Sequence, residues 1–328
     1  MKSKPRLVSG IQPTGKLHIG NYVGALKNFV ALQDSGKYEC FFFIADLHSM
    51  TEYFTPKEKI KQIEDVALSY LAAGLDPKKS TLFLQSDIPE HTELAWILNT
   101  ITPFGELRRM TQFKDKSDTH PENINVGLFA YPVLMAADII LYDAHAVPVG
   151  EDQLQHTELT RTLARKFNTR FGKTFHEPKP ILAEVPRLMS LDDPLKKMSK
   201  SRPAGCLFLD DSPDEIRNKI KRAVTDSGRD IVCDPVNKPA VSNLLLLYSS
   251  IAGIPISDLE KRYAEKGYAE FKVDLAEIVV AALLPFQKKK KALKKSAVRK
   301  MLLAGGARAQ KIAREKIKEV RKKTGIYA

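Results

Sequence analysis

Two regimes of apolar spacing divide the chain. In the first half, short continuous apolar runs alternate with longer segments whose apolar residues recur every three or four positions. Cys40-Phe41-Phe42-Phe43-Ile44 and Thr81-Leu82-Phe83-Leu84-Gln85 read as buried strands, with shorter ones at Arg6-Leu7-Val8 and Val147-Pro148-Val149. Between them, Val23, Leu26, Phe29, Val30 and Leu32 set a helix over Tyr22 to Leu32. Thr55-Pro56-Lys57-Glu58 is a capping box whose helix runs to Ala73 and is stopped by Gly74. Further helices are predicted near Thr92 to Leu98, Phe104 to Lys114, Tyr131 to Tyr142, and from Gly150 to about Phe167. The alternation predicts an α/β fold with a doubly wound parallel sheet. Polar or basic loops are expected over Lys114 to Asn125, Asn168 to Pro180 and Leu188 to Pro203. From Ser212 onward strand signals stop. Ser212-Pro213-Asp214-Glu215 and Ser257-Asp258-Leu259-Glu260 read as capping boxes. Helices follow near Pro213 to Val224, Ser242 to Ala252, Asp258 to Lys266 and Leu275 to Leu284, then one or two basic ones to Lys323.

The expected organisation is a Rossmann-like domain over 1–203, a smaller all-helical domain over 204–285 and a basic helical tail over 286–328. Charge sharpens this picture. The net charge is +13, yet from Phe286 to Ala328 there are 16 Lys/Arg against two acids, so the remainder is close to neutral. A basic stripe so localised suits a polyanion such as RNA, or else is a solvated face. No run of about 18 apolar residues is present, so no membrane span is expected. Met1 to Pro5 leads straight into the first strand, which leaves no room for a signal peptide. Cys40, Cys206 and Cys233 are far apart and form no metal-binding pair, which fits a cytoplasmic location.

Candidate chemistry concentrates in two places. Ser9 to Asn21, SGIQPTGKLHIGN, is a strand, a glycine-bearing turn and a first helical turn. Backbone N–H groups at such a junction can receive an anion, with Gln12, Thr14, His18 and Asn21 as added donors. Taken alone it is equally an ordinary turn. The second place is Lys197-Met198-Ser199-Lys200-Ser201, in the loop that ends the α/β half. Alone it reads as a flexible basic linker.

Together, and in this order, His18-Ile19-Gly20-Asn21 and KMSKS resemble the paired motifs of the class I aminoacyl-tRNA synthetases. Ser9 to Gly15, Met110 to Lys116, Tyr131 to Asp138, Val147 to Gln153 and Ala223 to Ser227 look like the bacterial tryptophanyl branch of that family, and the resemblance reaches to about Ala276. Val8, where many relatives carry an aromatic residue, and Leu47, often polar in relatives, depart from the pattern. The resemblance implies activation of L-tryptophan by ATP with Mg²⁺, followed by transfer to tRNA, in a homodimer. It implies that Lys116, Lys197 and Lys200 grip the phosphates as catalytic cations. Gln12, Pro13, Thr14, Gly20 and Asn21 would line the ATP, with Gly150, Glu151, Asp152, Leu188 and the loop residues Met198, Ser199 and Ser201. No metal ligand from the protein is implied. For the amino acid, an indole offers one N–H and a large apolar face, which a buried carboxylate beside apolar walls would read. Asp138 fits, and Met135 and Tyr131 share its helical face. By resemblance Tyr131 and Gln153 would bind the amino group, and Val147, Val149 and His48 would complete the pocket. Two rival readings are a tyrosyl enzyme of the same fold and a non-catalytic RNA-binding protein on a synthetase-like core. Met135 argues against the first, and the presence of Gln12, Lys197 and Lys200 against the second.

Overall fold

The computed structural model describes residues 4–111, 124–182, 187–200 and 202–327. The chain forms two compact units, one of Met1–Thr14, Phe29–Ala183 and Lys294–Ala328, the other of Gly15–Asn28 and Glu184–Leu293.

The first unit is built on five parallel strands, β1 (Arg6–Ile11), β2 (Glu39–Ile44), β3 (Ser80–Leu84), β4 (Ala146–Val149) and β5 (Lys179–Leu182), in the order β3-β2-β1-β4-β5. The apolar run of β2 is buried on both faces, as a central parallel strand requires. β5 falls at the end of a segment expected to be a loop. Its Lys179-Pro180 start and half-exposed edge position hide the strand signal. Strand order reverses beside β1, so the segments after β1 and β4 flank the switch point where such sheets bind ligands. Tyr70, fully buried on Pro56–Ala73, holds this end of the sheet: its hydroxyl donates to the Phe43 carbonyl at 2.8 Å and accepts from the Ile11 N–H at 3.1 Å.

Helices Glu90–Asn99, Val126–Ile140 and Leu154–Phe171 pack over the sheet. Phe104 starts a helix as expected, but the helix ends at Arg108. The basic tail also belongs to this unit. Its helix, Lys295–Thr324, packs on β3 and adds Ala309, Ala313, Ile317 and Val320 to the core. Much of its charge is paired there. Lys316 is buried between Asp143 and Glu319, Arg321 makes a two-pronged pair with Glu93, and Lys295 meets Glu64.

The second unit contains the glycine-bearing turn and the helices Pro213–Arg222, Pro239–Ala252, Ile256–Arg262 and Tyr268–Ala292. The expected helix over Tyr22 to Leu32 is broken into Ile19–Asn21, a π-helical turn Tyr22–Leu26 and Lys27–Asp34. The capping box at Ser212 forms, with Glu215 returning to the Ser212 N–H. The one expected at Ser257 does not: that helix starts at Ile256 behind Pro255, with no side-chain cap. Compact packing thus departs from the expected boundaries at 203 and 285. Backbone bonds from Ile19 N–H to Leu207 and from Leu209 N–H to Leu17 join the turn to the segment after the lysine-rich loop, and the tail packs on β3. Among the described residues no single helix is long and apolar enough to cross a membrane.

Candidate functional site

In the first unit the chemistry gathers around Asp138 on Val126–Ile140. Its carboxylate is fully buried and faces three side chains. His48 Nε2 lies 2.7 Å from Oδ2, His91 Nδ1 2.6 Å from Oδ1, and the Gln85 amide donates to both oxygens at 2.8 and 2.9 Å. Burial pushes the Asp138 carboxyl up, but the facing histidines outweigh it and hold it well below the usual carboxylate range. A carboxylate only accepts, so each facing nitrogen presents an N–H.

His48 sits on the short 3₁₀ turn His48–Thr51 after β2 and lies edge-on to Tyr131, with ring centres 6.1 Å apart. Both line a cavity of about 300 Å³ with Leu47, Thr51, Trp96 and Leu134, at the lower end of ligand-pocket volumes, about 300–1,000 Å³. The Tyr131 hydroxyl meets His156 Nε2 at 2.7 Å, and burial raises its pKa. Met135 is half-buried against the core that contains Val147 and Val149. Asp138, Met135, Val147, Val149 and Gln153 do not line the cavity. Gln12, Pro13 and Thr14 follow β1, where Lys59 donates to the Pro13 carbonyl at 3.3 Å and to the Ser49 hydroxyl at 2.7 Å. Gly150 precedes the short turn Glu151–Gln153 after β4. A Cβ on it would lie 2.7 Å from Asp152 Oδ1, so only glycine leaves that carboxylate in place.

The second unit joins the other two motifs. His18 caps Ile19–Asn21: its Nδ1 accepts from the Gly20 N–H, and Asn21 Oδ1 accepts from the His18 N–H, each at 3.1 Å. The Gly20 N–H is therefore taken by His18 itself. The lysine-rich loop folds back on Leu188–Ser190, with Met198 N–H donating to the Leu188 carbonyl at 3.1 Å and Met198 buried. Lys197 is exposed and Lys200 half-buried, with the Lys200 stem beside Gly15, whose φ is +80°. Burial lowers the His18 pKa to about 4, and the charges of Lys200 and Lys197 act in the same direction. Neutral His18 with Nδ1 occupied carries its proton on Nε2. The unit thus sets two lysines and one neutral N–H donor around a glycine turn, a set suited to phosphate oxygens.

Lys116 and Ser201 lie outside the described residues, as does Gln112 to Asp115 of the same motif. Sequence reasoning did not single out His91, Gln85, His156 or Lys59. Gln85 carried a usable signal, since it directly follows β3, where open sheets place their ligands. His91, on a helix with buried neighbours, carried none.

The family model for class I tRNA synthetases of the tryptophan and tyrosine branch matches residues 1–284. A tryptophan–tRNA ligase of Caldanaerobacter subterraneus subsp. tengcongensis is 49% identical over 324 residues, 98% of each chain. The crystal structure of the tryptophanyl-tRNA synthetase of Mycoplasma pneumoniae superposes with a TM-score of 0.91 at 36% identity, over 99% of this chain and 98% of that one. The Campylobacter jejuni enzyme, complexed with ADP and tryptophan, superposes with a TM-score of 0.81 at 36% identity, over 98% and 99%. A tyrosyl-tRNA synthetase from Aeropyrum pernix reaches 0.68 at 20% identity, over 92% and 90%, a likeness of fold.

Proposed function

The chain belongs to the class I tRNA synthetases of the tryptophan and tyrosine branch, its activity is tryptophan–tRNA ligation, and we propose how its residues divide that work. The tryptophan carboxylate attacks the α-phosphorus of ATP; a mixed anhydride forms and pyrophosphate leaves. A terminal ribose hydroxyl of tRNA then attacks the activated carbonyl and releases AMP. The first nucleophile is already ionised, so positioning and charge stabilisation carry the step. Lys197 and Lys200 neutralise the phosphates, and Lys116 joins them. Neutral His18 donates from Nε2, which binds a phosphate oxygen without adding charge. Gln12, Pro13, Thr14, Gly20, Asn21, Met198, Ser199 and Ser201 line the triphosphate, while Gly150, Glu151, Asp152 and Leu188 take the nucleoside. Mg²⁺ would arrive on the ATP phosphates, as it commonly does in nucleotide sites.

Asp138 reads the indole N–H. The observation that carries this is a fully buried carboxylate faced by three N–H-bearing side chains, on the helix that also carries Met135. His48 borders the pocket, and Tyr131 and Gln153 take the ammonium group. Purified protein should exchange pyrophosphate into ATP only with tryptophan among the twenty amino acids. Asp138→Ala should raise the tryptophan KM far more than the ATP KM. Exchange driven by tyrosine, or equal KM changes, would reject this reading.

We read the protein as a cytoplasmic homodimer. Met50, Trp96, Phe104 and Val126 are 59–81% exposed, and Met50 and Trp96 line the cavity that Asn125 and Gly127 also border. Apolar surface of this kind supports an interface between copies. Sedimentation should give twice the chain mass, and Trp96→Glu should shift it toward monomer; a monomeric parent protein at micromolar concentration would refute this.

A further inference from the structure

The partners of Asp138 differ in where they stand. His48 borders the cavity. His91 and Gln85 are wholly buried and border none of it. Each is also used at its far end. The Gln85 carbonyl accepts from the Leu47 N–H at 3.1 Å, and His91 Nε2 meets the Tyr142 hydroxyl at 2.8 Å. Burial raises the pKa of Tyr142, with Asp138 and Glu90 adding to it, so its O–H stays protonated. One end of this chain is directed: His91 Nδ1–H donates to Asp138 Oδ1, while the Tyr142 hydroxyl holds the far ring nitrogen, Nε2.

This matters because a lone buried carboxylate would take up a proton. A protonated acid presents an O–H as well as acceptors and can no longer discriminate for an N–H. A carboxylate free to rotate would lose its aim as well. We propose that His91 is a positioning residue for indole recognition. With Gln85 as second support, it fixes Asp138 in one rotamer and keeps it ionised, with Oδ2 facing His48, the one of its partners that borders the cavity. Substrate does not touch His91; its effect passes through Asp138. The proposal rests on the reading of Asp138 as the indole acceptor.

The test uses full-length enzyme in pyrophosphate exchange, with tryptophan and with β-(3-benzothienyl)alanine, where sulfur replaces the indole N–H. The readout is the ratio of the two kcat/KM values. His91→Leu should lower kcat/KM for tryptophan by about 10- to 100-fold, as loss of a hydrogen bond to a charged group does. It should change the sulfur analogue much less, so the preference collapses. His91→Asn, which can keep an N–H near the Nδ1 position, should recover part of it. Tyr142→Phe should lower the preference in the same direction by less. Asp138→Ala should abolish the preference, and adding His91→Leu should lower it no further. Thermal unfolding identifies any variant that fails to fold, in which case Tyr142→Phe decides. If variants at 91 and 142 fold and lose both substrates equally, His91 is structural and the proposal is wrong. If Asp138→Ala leaves the preference intact, the reading of Asp138 falls, and the proposal with it.

Discussion

His18 stands out from the other candidate donors of its turn once its surroundings are known. Burial first, then Lys200 and Lys197, lower its pKa from 6.5 to about 4. The unfolded chain therefore takes up a proton below pH 6.5 that the folded protein refuses until about pH 4. The stability tied to His18 is complete above pH 6.5 and is lost as pH falls from there to about 4. Its ring resonances in NMR should titrate with a midpoint near 4, and Lys200→Gln should move that midpoint part of the way back, because burial remains. A midpoint near 6.5 in the parent protein would remove the case for a neutral donor. The turn was singled out through its resemblance, together with the late lysine-rich loop, to the family's paired motifs, since either stretch alone reads as an ordinary turn or linker. Asp138 was legible because only one acid lies on its apolar helix. His91 was not, because a histidine on a buried helix gains meaning only when folding brings it to that carboxylate, and Gln85, just after β3, offered its position but not its partner.

At the scale of elements, the last helix makes the sharpest demand on sequence. A Cβ built on Gly305 would run into the Leu82 carbonyl group of β3, whereas on Gly306 its nearest neighbour is Asp87 Oδ2 at 3.5 Å. The two adjacent glycines should answer oppositely to alanine. Gly305→Ala must push a helix off a strand and should cost about 3 kcal/mol or more, the upper end for overpacking. Gly306→Ala meets only ordinary van der Waals neighbours and should be neutral or stabilise by up to about 1 kcal/mol, through helix propensity alone. Urea unfolding of both variants checks this, and equal losses would mean that the helix does not sit tightly on β3. The first four strands and the long helices were visible in the apolar spacing. The fifth strand was hidden by its proline and lysine. The π-helical turn was hidden because its residues also suit an α-helix.

For the whole molecule, net charge located a basic tail but could not say which lysines face a partner. The helix divides them. Lys316 and Arg321 are paired within the first unit. Lys300, Lys311, Lys318 and Lys322 are all exposed, and at about 100° per residue they fall within roughly 40° of one another on the helix, opposite the line of Val298, Ala309, Ile317 and Val320. Deleting the tail would uncover β3 and remove core, so it cannot test a role in RNA binding apart from folding. Changing these four lysines to glutamine leaves the buried face intact and removes only the stripe. If the stripe meets the tRNA backbone, the variant should melt within about 1 °C of the parent, as surface changes usually do. Its tRNA affinity should fall, and the slope of log K against log salt should become shallower by up to roughly 0.9 for each phosphate that is no longer neutralised. Tryptophan-dependent pyrophosphate exchange, which needs no tRNA, should be unchanged. An unaltered salt slope with unaltered affinity would mean that this face is solvated, and that tRNA is held by another surface of the protein.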